Sequence, residues 1–331
     1  MGKTIKCLRN DYIREVTGMK SHKAYTLAGG MASPRQSMLW KLMIKYKYYY
    51  LLLLPGLIYF LVFKYIPMLG ILIAFKDYKI SLGVWDSAWS GVKWFRILFE
   101  TEDFWIAFRN TIMISFYKLI FGFPAPIILA LLLNEVFSNG IKRLIQTIVY
   151  FPHFLSWVVL GGMMFTLLSP STGILALFDV QSSPVMQPEQ FRSMLVWSGI
   201  WKEAGWGTII YLAAMAGINP ELYEAGRIDG ANRFQLVRYV TIPSIANTIV
   251  ILLILRTGHI LSAGFDQVFI LYNPLVYSVA DILDTYVYRV GLTMGRYSLA
   301  SAAGLFQSVV GLLLLLFSNW LARRMGGSGL W

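Results

Sequence analysis

Cysteine is nearly absent. Cys7 is the only one in 331 residues, so no disulfide framework holds this fold. Charge is scarce as well. Asp, Glu, Lys and Arg make up 14% of the chain, against about 25% in soluble globular domains. Hydrophobic residues reach 57%, and mean hydropathy is +0.59. That leaves too little polar surface to coat a water-soluble particle of this size, and it excludes intrinsic disorder. Histidine occurs three times, at His22, His153 and His259. These sit in separate regions without metal-ligand spacing, and there is no H-E-x-x-H pattern. The first 37 residues are polar and mixed, without the apolar core of a signal peptide. Gly2-Lys3-Thr4 copies the tail of a P-loop but lacks its upstream glycine and strand. Lys6 stands where a myristoylation motif needs Ser or Thr. No catalytic constellation is present. What remains is an integral membrane protein.

Six apolar stretches are long enough for a bilayer core of about 30 Å, which takes about 20 helical residues. They run from Leu51 to Phe75, Thr111 to Leu133, Ile145 to Leu168, Met194 to Ile218, Ala246 to Gly264, and Leu299 to Leu321. Lys64 and Pro67 interrupt the first, so its outer half is also compatible with the interface. The net charge of +12 would suggest nucleic acid in a soluble protein. Its distribution argues for membrane topology instead. The segments sharing the N-terminal side carry 17 Lys and Arg, those on the other side carry 8, and acids run the opposite way. Basic residues mark cytoplasmic loops, so both termini are expected in the cytoplasm, as an even number of spans requires.

The expected layout is a cytoplasmic tail over 1–37, an interfacial segment over 38–50, a six-span domain over 51–321 and a second tail over 322–331. In the interfacial segment Lys41, Lys45 and Lys47 alternate with apolar and aromatic residues, and such lysines snorkel toward headgroups. The outer loop 76–110 is rich in aromatics, among them Trp85, Trp89, Trp94 and Trp105. These suit interfacial anchoring, or an outer surface for sugar rings.

The loop from Asn219 to Ser244 reads as a folded module, NPELYEAGRIDGANRFQLVRYVTIPS. Asn219 suits an N-cap, Pro220 the first helical position, and Glu221 the positive helix end. Asp229-Gly230 is a stop and turn signal. A second helix fits Asn232 to about Val240. Small residues (Ala225, Gly226, Gly230, Ala231) lie beside charges (Glu224, Arg227, Asp229, Arg233), so the module offers both close approach and fixed register. A self-packed connector is the plainer reading from composition alone.

Glu224-Ala225-Gly226, then Gly230, then Val240-Thr241-Ile242-Pro243, resembles the EAA loop of ABC importer permeases, E-A-A, three residues, G, nine residues, I-x-L-P. Asp229-Gly230-Ala231 and Gln235 extend the match. Gly226, Val240 and Ile242 depart from the pattern conservatively. Tyr65-Ile66-Pro67, the run from Phe104 to Thr111, and Tyr150-Phe151-Pro152 resemble the maltose-transporter-like carbohydrate permeases. Within these, the similarity is to polysaccharide permeases of the LplB and alginate-importer type, over residues 40–322. The resemblance implies the six-helix type I importer fold, all-α, and a non-catalytic pore subunit that pairs with a second permease. It implies two ATPase subunits using ATP and magnesium, and an extracytoplasmic solute-binding protein delivering a carbohydrate. This chain itself would bind no cofactor. Carried over, Pro220 to Ile228 is the helix that inserts into the ATPase, Glu224 its ion-pairing residue, and Gly230 the turn; Ala225, Gly226, Asp229, Ala231 and Pro243 complete the coupling site.

Ionisable residues inside spans are functional candidates by default. Lys202 and Glu203 lie in the fourth span among Trp197, Trp201 and Trp206, and point about 100° apart on a helix, so they need other partners. Arg256 and His259 share a face of the fifth span, which also carries Asn247. Trp197, Trp201, Lys202, Glu203, Asn247, Arg256 and His259 are therefore the candidate substrate pathway, with structural pairing between helices as the alternative. Lys64 and Lys118 suit snorkelling or a partner contact, and His153 a structural role. A basic pathway favours an acidic oligosaccharide, such as a uronate. Two other classes stay open: a self-contained secondary transporter, which would use carboxylates in its spans and internal repeats, and a membrane enzyme, for which Glu100, Glu102 and Asp103 are the one acidic cluster.

Overall fold

The computed structural model describes residues 45–258 and 260–324. Contacts divide the chain into two units at Pro67 and Met68. His259, the 1–37 tail, residues 38–44 and residues 325–331 lie outside the described residues.

Among the described residues, three helices are long and apolar enough to cross a membrane: α1 (Lys47–Phe75), α3 (Glu102–Asn134) and α13 (Tyr297–Arg324). Between α1 and α3 lie a two-stranded antiparallel sheet, β1 (Lys76–Asp77) with β2 (Ala88–Trp89), and α2 (Lys93–Glu100). Two further spans are bent pairs: α4 (Asn139–Phe154) with α5 (Trp157–Leu167), bent by 99°, and α8 (Arg233–Ser244) with α9 (Ala246–Gly258), bent by 62°. The fourth expected span lies in α6 (Pro188–Ala216), 29 residues long. Its length suffices for a crossing, but Glu189, Arg192, Lys202 and Glu203 make it less apolar than α1, α3 and α13. The coupling module places α7 (Pro220–Ile228) between α6 and α8. After α9 come α10 (Phe265–Leu271), α11 (Tyr277–Ala280) and α12 (Leu283–Tyr288).

The structure changes several expected boundaries. The third span, expected as one stretch from Ile145 to Leu168, is broken. Pro152 opens a tight turn over Phe151–Phe154, and Ser156 then caps α5 through the Val159 N–H at 3.3 Å. The fifth span stops at Gly258, not Gly264, because residues 260–264 leave the helix. The second span starts at Glu102, nine residues before the apolar run, since Glu102 and Asp103 occupy its first turn where acids suit the helix end. Lys47 to Tyr50, expected at the interface, belong to α1. The sixth span, expected to end at Leu321, lies in α13, which runs on to Arg324.

Two prolines are accommodated in the same way. A wider turn over Leu61–Tyr65 precedes Pro67, and another over Val237–Thr241 precedes Pro243; in each, the closing N–H reaches five residues back, Ile66 to Leu61 and Ile242 to Val237. Proline has no N–H to give and its ring crowds the carbonyl four residues earlier, so widening the turn relieves both.

Three buried clusters hold the second unit together. One joins Phe104 and Ala107 of α3 to Leu283 and Tyr286 of α12 and Leu299 of α13. One joins Ile114 of α3 and Leu195 of α6 to Val268, Leu271 and Ile282. One joins Ala130 of α3, Tyr211 and Met215 of α6, and Ile245. Outside the predicted spans, the Asp281 carboxylate accepts from Thr285 Oγ1 and Arg289 Nη2, both at 2.7 Å. Burial works against the Arg289 charge, but this carboxylate outweighs it and holds its pKa above the ordinary arginine value.

Candidate functional site

The break in the third span is held by charge. Lys202 of α6 is 6% exposed. Its Nζ donates to the carbonyls of His153 at 2.6 Å and Leu155 at 2.8 Å, both freed by the break. The Nδ1–H of His153 donates to Glu203 Oε2 at 2.9 Å, and the His153 ring stacks on Trp206, centroids 4.5 Å apart. Lys202 and Glu203 approach each other at 3.8 Å, but each has its shorter contacts with the break. Helix α4 reaches α6 at Gly205, where a Cβ would lie 1.9 Å from the Val149 carbonyl oxygen, so only glycine fits.

Next to this staple, α3, α6, α9 and residues 260–264 enclose a cavity of about 460 Å³. Lys118, Glu203, Trp206, Tyr211, Arg256 and Gln267 supply its chemistry. Lys118 Nζ donates to the Ala263 carbonyl at 2.7 Å and to Gln267 Oε1. Gln267 Nε2 donates in turn to the Leu195 carbonyl at 2.8 Å and to Ser198 Oγ at 2.9 Å. Arg256 lines the same cavity, is exposed, and makes no hydrogen bond or ion pair among the described residues. The arrangement offers a guanidinium for a carboxylate or hydroxyls, an indole face for a sugar ring, and a carboxylate held by histidine.

Of the expected pathway residues, Glu203 and Arg256 meet in this cavity. Trp197 lines a separate cavity of about 580 Å³ with Tyr117, Glu189 and Arg192. Trp201 is exposed and lines neither cavity. Asn247 is likewise exposed outside the cavity, and Lys202 faces the backbone of the break. The sequence suits Lys118 to snorkelling or a partner contact, whereas its ammonium is bonded inside the protein, and Gln267 carries no signal in the sequence. The span rule pointed at Lys118. The role of Gln267 depends on the helix ending at Gly258, which the continuous apolar run conceals.

The coupling module follows its sequence closely. Asn219 Oδ1 accepts the Glu221 N–H at 3.1 Å and caps α7. Gly230 has φ +79°, a conformation that other residues resist. Asn232 and Gln235 exchange side-chain and backbone hydrogen bonds at the start of α8, a capping box. The second helix is therefore anchored where expected, but it continues through a wide turn to Ser244 rather than ending near Val240. Tyr223 and Gly226 face α8: Tyr223 Oη and Thr241 Oγ1 lie 3.0 Å apart, and a Cβ on Gly226 would come within 2.7 Å of Leu236 Cδ2. The opposite face presents Glu224, Ala225 and Ile228, and Ile228 is 85% exposed; Leu222 is exposed beside Gly226. Among the described residues Glu224 has no ion pair. Asp229 and Pro243 are exposed and Ala231 is half-buried. Arg233 lies over the Phe137 ring at 4.7 Å, linking the module to the loop before α4.

Broken helices around a polar cavity, with an exposed helical module in a loop, define a membrane transport subunit. The chain belongs to the family of binding-protein-dependent transport system inner membrane components, which residues 122–327 match. It is 50% identical to protein LplB of Bacillus subtilis (strain 168) over 289 residues, 86% of this chain and 91% of that one. It is 44% identical over 302 residues to the polygalacturonan/rhamnogalacturonan transport system permease protein YteP of the same organism, covering 90% and 94%. It also matches, at TM-score 0.82 and 45% identity, a chain in the crystal structure of a bacterial alginate ABC transporter in complex with alginate pentasaccharide-bound periplasmic protein, covering 88% of this chain and 99% of that one. The chain is thus an inner-membrane permease subunit of an importer, and its helical, type I permease fold is shared with the alginate transporter chain.

Proposed function

We propose that this chain forms half of the pore of an ATP-driven importer for oligosaccharides of an acidic polysaccharide, and that Arg256 binds their carboxylates. The observation that carries this reading is that the open guanidinium of Arg256 lines the same cavity as the Trp206 indole. Guanidinium groups pair with carboxylates in bidentate fashion, and the electron-rich indole face suits a sugar's C–H groups. The relatives' substrates, polygalacturonan and rhamnogalacturonan for one and alginate for another, are uronate polymers, which supports the same class.

In this reading the substrate arrives on a solute-binding protein from outside. A second permease completes the pore. Two ATPase subunits use ATP and magnesium in the cytoplasm and dock on the exposed face of α7 around Glu224. The permease domain spans residues 51–321, with cytoplasmic tails at 1–37 and 322–331.

The test is uptake by the assembled complex in proteoliposomes. Uronate oligosaccharides are expected to stimulate ATP hydrolysis and to enter, at least tenfold better than neutral oligosaccharides of equal length. Entry driven by an ion gradient without ATP would refute the reading in favour of a secondary transporter.

A further inference from the structure

The fifth span ends at Gly258, and residues 260–264 run on as irregular backbone beside the cavity. In a bilayer every backbone carbonyl needs a partner, and irregular backbone persists only where it is buried in protein or lines a cavity. Here two carbonyls are taken from opposite sides. Gln307 Nε2 of α13 donates to Leu261 at 2.9 Å, and Lys118 Nζ of α3 donates to Ala263 at 2.7 Å.

Lys118 also donates to Gln267, whose carboxamide is fully used. Its oxygen accepts from Lys118, and its nitrogen reaches Leu195 and Ser198 of α6. Gln267 is 1% exposed. Glycines leave room for the Lys118 side chain: a Cβ on Gly264, which has φ +95°, would lie 3.0 Å from its Nζ, and one on Gly199 would lie 3.8 Å from its Cε. The Lys118 ammonium has two protein acceptors, the Ala263 carbonyl and Gln267 Oε1, whereas the guanidinium of Arg256 in the same cavity has none among the described residues.

We propose that Lys118 is a positioning residue of the transport cavity. It ties the irregular end of the fifth span to the second and fourth spans through Ala263 and Gln267, and leaves the recognition of substrate charge to Arg256. This rests on the importer reading. The cavity wall keeps its shape because Lys118 satisfies the carbonyl exposed by the break. Without it the wall loosens for every substrate alike, charged or neutral.

The test compares an acidic oligosaccharide with its carboxyl-reduced, neutral counterpart in the assembled importer, measuring kcat and KM for substrate-stimulated ATPase. Lys118→Met is expected to lower kcat at least tenfold for both sugars and leave their preference ratio unchanged. Arg256→Gln is expected to raise KM for the acidic sugar alone and shift the ratio at least tenfold. Adding Gln267→Met to Lys118→Met is expected to do little more, because the two act as one clamp. A Lys118→Met shift of the ratio toward the neutral sugar, or a wild-type kcat, would overturn the proposal. If Lys118→Met does not assemble, Ser198→Ala carries the test, since it removes one acceptor at the far end of the clamp. It is expected to lower kcat about two- to fivefold at constant ratio, and an unchanged kcat or an altered ratio overturns the proposal. A wild-type complex that imports neither sugar would refute the importer reading itself, before any variant is compared.

Discussion

Lys202 and Arg256 are both cations expected in spans, and they have opposite fates. Lys202 is buried, with its ammonium on two backbone carbonyls that the broken third span sets free. Arg256 faces a cavity with no hydrogen bond or ion pair among the described residues. From the sequence the two are equivalent, each a costly charge in an apolar run. What separates them is the position of the chain break opposite each one. Lys202→Met is expected to leave two part-buried carbonyls without their donor and to destabilise the protein by about 1–3 kcal/mol. A fall in Tm of the detergent-solubilised subunit checks this, and a wild-type Tm would mean that the break holds without Lys202.

At the scale of elements, turn and cap chemistry was readable and helix breaks were not. Asn219, Gly230, Asn232 and Gln235 each sit where their local chemistry requires, because a cap or a positive φ depends only on neighbours in sequence. The breaks at Pro152 and Gly258 depend on which neighbouring helix supplies Lys202, Lys118 or Gln307 to satisfy the freed carbonyls. Those donors are tens of residues away in the chain.

The coupling module also sets its own test. Glu224→Lys reverses the charge on the exposed face of α7, and Gly230→Pro forbids the positive φ of the turn. Both are expected to leave membrane insertion intact while lowering substrate-stimulated ATPase at least tenfold. Normal stimulated ATPase in both variants would remove α7 from the coupling pathway.

For the whole molecule, Cys7 is a natural reporter of topology because it is the only cysteine. With the N-terminus in the cytoplasm, a membrane-impermeant maleimide is expected to leave Cys7 unlabelled in intact spheroplasts and to label it once the membrane is opened. Labelling of intact spheroplasts would invert the orientation inferred from the basic residues.

Composition alone determined that the chain lives in a membrane, since 14% charge cannot solvate a particle of 331 residues. Local spacing determined the coupling module, because caps and turns are decided within a few residues. The tertiary structure alone decided where the third and fifth spans break, and which polar side chains those breaks consume. In a bilayer, an interrupted helix is stable only when another segment supplies its missing hydrogen bonds. That pairing of a break with its distant donor is set by how the helices pack, and it is what separates Lys118 and Lys202, which donate to the freed backbone, from Arg256, which has no acceptor among the described residues.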